Sequence, residues 1–295
     1  MFSYIVGFLA FLLFFYNPIS QFLTPGTSQI RRTPLPQINW DLLAIESNET
    51  RLGDASASRC PPDSYSIHVF SREPLVIYIE KFLSPDERGH LLQISDPLYE
   101  PATITHDGGD SAQHDTTVRD SEVAVVPRTD VVRCIEDRAR ALQGWRDEVW
   151  IERLRVQRYG PGGHYNHHFD WSSGRGGWGR VSSFMVWVDD SDGQLQGGGT
   201  EFPLLRYRQD SRWCRFIDCR ASQAGPADSS DGKADSAPTT SSAVIFKPIA
   251  GNAVYWENFR SDGTGRGYDE TWHAGLPVEK EVKVGLNIWS WGRID

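Results

Sequence analysis

The chain has 295 residues, 39% hydrophobic and 23% charged, a balance that fits a globular protein and excludes a disordered one. Its 39 acidic against 30 basic residues give a net charge of −9. That argues against a nucleic-acid partner, whose capture depends mostly on Lys and Arg meeting phosphates. With the atypical ends set aside, about 200 residues remain for one buried core, and 11 Trp point to large fixed apolar surfaces.

Residues 1–16 are almost all apolar, and no Lys or Arg precedes Arg31. Extended past Pro18 to Leu23, the run reaches the ~20 residues a membrane span needs. It lacks a clear basic start and small-residue cleavage site. The expectation over 1–23 is a signal-anchor or a signal peptide. Either delivers the chain to the endoplasmic reticulum lumen, on a single-pass membrane anchor or as a soluble luminal or secreted protein. Residues 24–59, with Pro25, Pro34 and Pro36, read as a stem or linker. Asn48-Glu49-Thr50 within it is a glycosylation sequon.

The domain proper is expected over 60–295. Residues 74–79 read as a strand. Ser84-Pro85-Asp86-Glu87 then has the pattern of a helix start, with Ser as cap, Pro at the first helical position and Glu three residues after the cap. A second helix is predicted from about Asp130 to Leu142. From Val149 the pattern turns to β: residues 152–158, 184–188, 253–256 and 284–289. Short strands split by Gly-rich turns, after a helical part, give the fold class α+β, mostly β. It is a double-stranded β-helix (jelly roll) with supporting N-terminal helices. Residues 221–243, rich in Ser, Asp and Gly, read as a disordered insertion.

Four cysteines, Cys60, Cys134, Cys214 and Cys219, include no C-x-x-C pair, which argues against a zinc ribbon. An even count behind a secretory start suggests two disulfides. Cys214 with Cys219 would close a small loop, leaving Cys60 for Cys134; the alternative is free buried thiols.

The chemistry concentrates at His168-Phe169-Asp170. On a strand, residues i and i+2 share a face, so the imidazole and the carboxylate can reach one metal. His273 is the best third ligand. Two His and one carboxylate leave open positions for substrate and oxygen, the donor set of non-haem Fe(II) oxygenases. Ten residues on, Lys283 lies in a strand-like segment. A Lys inside a barrel mouth is costly unless it meets an anion, and a dicarboxylic acid cosubstrate would supply one. His167 is expected on the opposite face from His168, and His164, His106 and His114 in loops. Residues 174–179 read as a mobile lip over the substrate groove or a plain hairpin loop, with Arg175 and Arg180 unassigned.

Four ordered motifs carry a family resemblance. They are Tyr159-x-x-Gly162-x-x-Tyr165-x-x-His168-x-Asp170; residues 198–203, Gly-Gly-Thr-Glu-Phe-Pro; Pro248-x-x-Gly251-x-Ala253-x-x-Trp256-x-Asn258; and residues 273–278, His-Ala-Gly-Leu-Pro-Val, followed by Lys283 and Trp289. Over residues 70–295 the chain resembles the prolyl 4-hydroxylase branch of the 2-oxoglutarate- and Fe(II)-dependent dioxygenases. The resemblance implies iron on His168, Asp170 and His273, and the distal carboxylate of 2-oxoglutarate on Lys283. It further implies Tyr159 hydrogen-bonding that carboxylate, Thr200 lining the pocket and Trp289 forming its wall. Fe(II) is the implied cofactor, 2-oxoglutarate and O2 are cosubstrates, and ascorbate rescues oxidised iron. The implied reaction hydroxylates peptidyl proline while 2-oxoglutarate becomes succinate and CO2. The same chemistry on a small molecule or short peptide is the alternative, with a catalytically inactive jelly-roll binding module a distant third. Two departures stand out: Glu281 replaces the family's Gly before Lys283, and the span from Pro203 to Val244 is long.

Overall fold

Side chains alternate across the long strands, and this sorts the molecule into layers. The computed structural model describes residues 41–45, 60–105, 112–171, 177–206, 210–219 and 243–294. In chain order the elements are β1 (Ser66–Arg72), β2 (Leu75–Glu80), α1 (Pro85–Ser95), β3 (Glu100–Pro101), β4 (Ile104–Thr105), β5 (Ala112–Gln113), β6 (Arg119–Asp120), β7 (Glu122–Val125) and α2 (Asp130–Leu142). They continue with β8 (Val149–Ile151), β9 (Arg155–Tyr159), β10 (His164–His168), β11 (Trp178–Asp189), β12 (Gln196–Gly197) and β13 (Thr200–Phe202). The last are β14 (Val244–Phe246), β15 (Ala253–Glu257), β16 (His273–Gly275), β17 (Val278–Lys280) and β18 (Lys283–Arg293).

A nine-stranded major sheet runs in the order β1-β2-β15-β11-β18-β9-β7-β3, with β8 also paired to β18. A five-stranded minor sheet runs β14-β13-β16-β10-β6. The pairings in both are antiparallel. This is the expected double-stranded β-helix.

One face of the major sheet carries Phe184, Val186 and Val188 of β11 and Val284, Leu286 and Ile288 of β18. They join Leu91 of α1 and Ile135 and Ala139 of α2 in one apolar cluster. The other face carries Met185, Trp187, Val254 and Trp256, which meet Phe202, Val244 and Phe246 of the minor sheet. Full burial of such a side chain contributes roughly 1.5–3 kcal/mol, so both layers hold the sheet. On β18, the residues between the apolar ones, Lys283, Gly285, Asn287 and Trp289, therefore face the barrel interior.

Both helices start as their sequences direct. Ser84 Oγ accepts from the Glu87 amide while the Glu87 carboxylate accepts from the Ser84 amide, a complete capping box. Thr129 caps α2. Arg138 of α2 donates to both carboxylate oxygens of Glu87 and to the Phe82 carbonyl, tying the helices together.

Several expectations change. β11 and β18 are long strands, kept continuous by bulges at Arg180/Ser182 and Trp187/Asp189. β9 starts at Arg155, and Glu152 makes an isolated bridge to Leu43. The expected linker is therefore docked in part. Leu43 is buried, and the Ala44 amide donates to the Ile151 carbonyl. His164 lies in β10 opposite Asp120, so it belongs to a strand where a loop was expected. The structure joins Cys60 to Cys134 and Cys214 to Cys219. The 1–23 segment, Asn48, His106, Arg175 and residues 221–242 lie outside the described residues. Among the described residues, no helix is long and apolar enough to cross a membrane.

Candidate metal centre and anion pocket

β10 and β16 pair so that His168 stands opposite His273, and the register shifts between Tyr165 and His168. Asp170 follows two residues after His168. The ligand atoms of His168, Asp170 and His273 all lie within 4.8 Å of one another. His168 Nε2 is 3.7 Å from one Asp170 oxygen, and His273 Nε2 is 3.9 Å from the other. Each histidine is oriented from behind. His168 Nδ1 is 2.8 Å from the Asn166 carbonyl, and His273 Nδ1 is 2.8 Å from the Thr271 carbonyl. A carbonyl only accepts, so Nδ1 carries the proton and the Nε2 lone pair turns to the centre.

The electrostatics suit a cation. Burial pushes the Asp170 carboxyl up, but His168, His273 and Arg180 outweigh it and hold it well below the usual carboxylate range. Burial, with His168 nearby, lowers His273 to about 4, so its imidazole is neutral and free to ligate. Phe202 stacks on His273 at 5.4 Å and Trp256 meets it edge-on at 4.9 Å, fixing the ring.

Lys283 opens β18 opposite Tyr159 of β9. It is 1% exposed. Its Nζ donates to the Gly198 carbonyl at 2.7 Å and sits 4.7 Å from the Tyr159 ring centre. Burial lowers it to about 8. An ammonium with one carbonyl acceptor and, among the described residues, no carboxylate is unsatisfied, as an anion pocket requires. Gly198 has φ +70, and a Cβ there would press on the Lys283 stem at 3.2 Å. Thr200, two residues on, is buried opposite Gly275. Three converging donors and this ammonium fit an Fe(II) ion and a dicarboxylate.

The sequence-derived residues are thus brought together, with refinements. Tyr159 turns its ring to Lys283, while its hydroxyl donates to Gln157 at 2.8 Å instead of into the pocket. Trp289 stands as a wall under Arg180, whose guanidinium lies 3.8 Å from the ring centre. His167 is exposed, with its Nε2 2.8 Å from a Glu201 carboxylate oxygen. Glu281 takes φ +67, the left-handed turn conformation glycine would adopt, so the departure preserves the turn.

Sequence reasoning gave no role to three residues. Tyr165 stacks on His168 with centroids 3.7 Å apart. Arg119 lies over the Tyr165 ring at 4.6 Å. Arg180 holds Glu152 with two hydrogen bonds, at 2.6 and 2.9 Å, and reaches toward the Asp170 carbonyl. Only Tyr165 carried a signal, its place in the Tyr-Gly-Tyr-His-Asp motif.

The sequence model of the 2OG-Fe(II) oxygenase superfamily matches residues 154–291. Prolyl 4-hydroxylase 2 of Arabidopsis thaliana is 24% identical over 256 residues, covering 84% of this chain and 77% of that protein. Prolyl 4-hydroxylase 5 of the same plant is 27% identical over 173 residues, 55% of each chain. Among solved structures, a viral collagen prolyl hydroxylase from Paramecium Bursaria Chlorella virus-1 matches with a TM-score of 0.47. It is 20% identical, over 79% of this chain and 98% of that one. A prolyl-4-hydroxylase from Pseudomonas putida matches with a TM-score of 0.44 at 15% identity, over 78% of this chain and 92% of that one. The superfamily match runs from Leu154 through the metal triad and Lys283, and over that span the chain is similar to 2OG-Fe(II) oxygenases of the prolyl 4-hydroxylase kind.

Proposed function

We propose that the chain hydroxylates proline in a peptide or protein, with His168, Asp170 and His273 holding Fe(II) and Lys283 holding 2-oxoglutarate. The observation that carries the reading is the pairing of a three-ligand open centre with a buried, half-satisfied ammonium in one barrel. Bound Fe(II) supplies oxygen activation, coupled to conversion of 2-oxoglutarate into succinate and CO2. The residues supply placement. Lys283 donates to the distal carboxylate, with Tyr159 behind it and Thr200 beside it. The Thr271 and Asn166 carbonyls keep both imidazoles in the ligating tautomer. Phe169 packs against Trp171 and Trp272 with centroids 4.5 and 4.6 Å apart, an apolar rim that keeps water from the reacting C–H bond. Ascorbate would be the reductant for iron held by His168, Asp170 and His273. Two disulfides support a luminal site of action, since such bonds persist in oxidising compartments.

The test is succinate release and a 16 Da mass gain on proline-rich peptides, set against free proline and small amides. Turnover of peptides alone is the expected result. Turnover of only the small amides would reassign the substrate, and no 2-oxoglutarate turnover with any of them would end the reading.

A further inference from the structure

The barrel interior holds more positive charge than the cofactors use. Val156 of β9 lies in the helix-facing cluster, so its neighbours Arg155 and Gln157 face inward. Arg155, Arg180 and Trp289 form one group: the Arg155 guanidinium is 5.5 Å, and that of Arg180 3.8 Å, from the same ring centre. Arg180 is matched by Glu152. Arg155 makes no hydrogen bond or salt bridge among the described residues; burial, then the charge of Arg180, lowers its pKa, with the Glu152 carboxylate acting the other way and Arg119 adding to the lowering. Arg119 is 8% exposed. Its Nε donates to Ser121, and its Nη2 is buried with no partner. The Gln157 Nε2 and Trp289 Nε1 donors are likewise buried and unpartnered.

The charges do not balance when the known groups are in place. Among the described residues, the carboxylates set against Lys283, Arg119, Arg155 and Arg180 are Glu152 and Asp170. An Fe(II) dication and a 2-oxoglutarate dianion cancel each other. Two positive charges are left over inside a chain whose net charge is −9. A buried cation persists when a counter-charge meets it. The orphan side-chain atoms on this wall are donors, so the missing ligand is an acceptor.

We propose that Arg155, backed by Arg119, forms a carboxylate-binding subsite for the prime substrate beside the Trp289 ring. The substrate would carry an acidic group close to the carbon that is hydroxylated. This rests on the proposed prolyl hydroxylation only for what bears the carboxylate, namely an acidic residue next to the target proline. A small carboxylic acid offers the same chemistry.

The experiment uses the full chain loaded with Fe(II) and 2-oxoglutarate. Two peptides differ only in Glu or Gln beside the proline, and N-acetylproline is compared with N-acetylprolinamide. Turnover is read as succinate and hydroxylated product, and anaerobic calorimetric titration reads binding separately. The expected result is a preference for the Glu peptide of ~10-fold or more, in line with a charge-assisted hydrogen bond. It should shrink with salt. Arg155→Gln should bring the ratio close to one, and Arg155→Lys should restore part of it. Arg155 makes no hydrogen bond among the described residues, so the Gln variant breaks none of those seen. Equal use of both peptides by the wild type overturns the subsite and leaves prolyl hydroxylation standing. Arg155-dependent binding of N-acetylproline, with neither peptide turned over, upholds the subsite and overturns the peptide reading. A preference that survives in Arg155→Gln, or a variant that loses only 2-oxoglutarate affinity, overturns the assignment.

Discussion

Lys283 should destabilise the protein that its ligand needs. Its pKa falls from the ordinary 10.5 to about 8 on burial. At ~1.36 kcal/mol per pH unit, that gap is a penalty of ~3 kcal/mol near neutral pH in the absence of an anion. The folded value lies below the unfolded one, so between them the unfolded chain holds more protons and stability rises with pH. Between pH 7 and 9.5 the wild type should therefore recover ~2 kcal/mol from this group. Lys283→Met removes the ammonium and its bond to the Gly198 carbonyl, and so lacks this component. Urea unfolding of both proteins without 2-oxoglutarate, at pH 7 and 9.5, isolates it, because the other titrations cancel in the difference. The wild type should gain on the variant by ~2 kcal/mol as pH rises. At pH 7, added 2-oxoglutarate should raise the wild-type midpoint and leave the variant's unchanged. A wild-type-minus-variant difference that stays flat across the interval would refute the argument, because Nζ would then be hydrated or already paired.

Removing one ligand, as in His168→Ala, should cut iron retained after anaerobic loading and desalting by tenfold or more; retention equal to wild type, read by elemental analysis, would contradict the triad. Glu281→Gly should stabilise the fold by about 0.5–1 kcal/mol, because φ +67 strains a residue with a Cβ; an unchanged or lower urea midpoint would count against it. Loop entropy makes the Cys60–Cys134 bridge, spanning 74 residues, worth ~4 kcal/mol, and the Cys214–Cys219 bridge, spanning 5, ~2 kcal/mol. Replacing each pair by Ser and comparing unfolding midpoints should show the larger loss for the first pair, and the reverse order would be the surprise.

What the sequence made legible was what its local pattern encodes. The alternation through Phe184–Val188 and Val284–Trp289 marks strands with two buried faces, and Ser84-Pro85-Asp86-Glu87 marks a helix start. His168 and Asp170 are two residues apart, so period-two geometry alone sets them on one face. Cross-strand placement was not legible. Arg155, Arg119 and Arg180 come from three strands of two sheets, and their convergence near Trp289 and Tyr165 depends on register. His164 looked like loop because glycines and Pro161 precede it, yet pairing with Asp120 extends the strand to it. Leu43 sat in a Pro-rich, polar stretch, and its burial needs the β8 edge to dock on. Glu281 concealed a glycine-like turn, since residue type alone reports the usual backbone preference and not the one a tight β17–β18 connection imposes.

His168 and His273 stand directly across a strand pair, though the chain between them first adds β11 and β15 to the major sheet and β13 and β14 to the minor one. The metal site therefore exists only once β16 has closed onto β10. Before that closure the chain brings together at most one His and the Asp of the triad. Metal uptake is in this sense a checkpoint on completed topology, and iron loading reports that the barrel has closed.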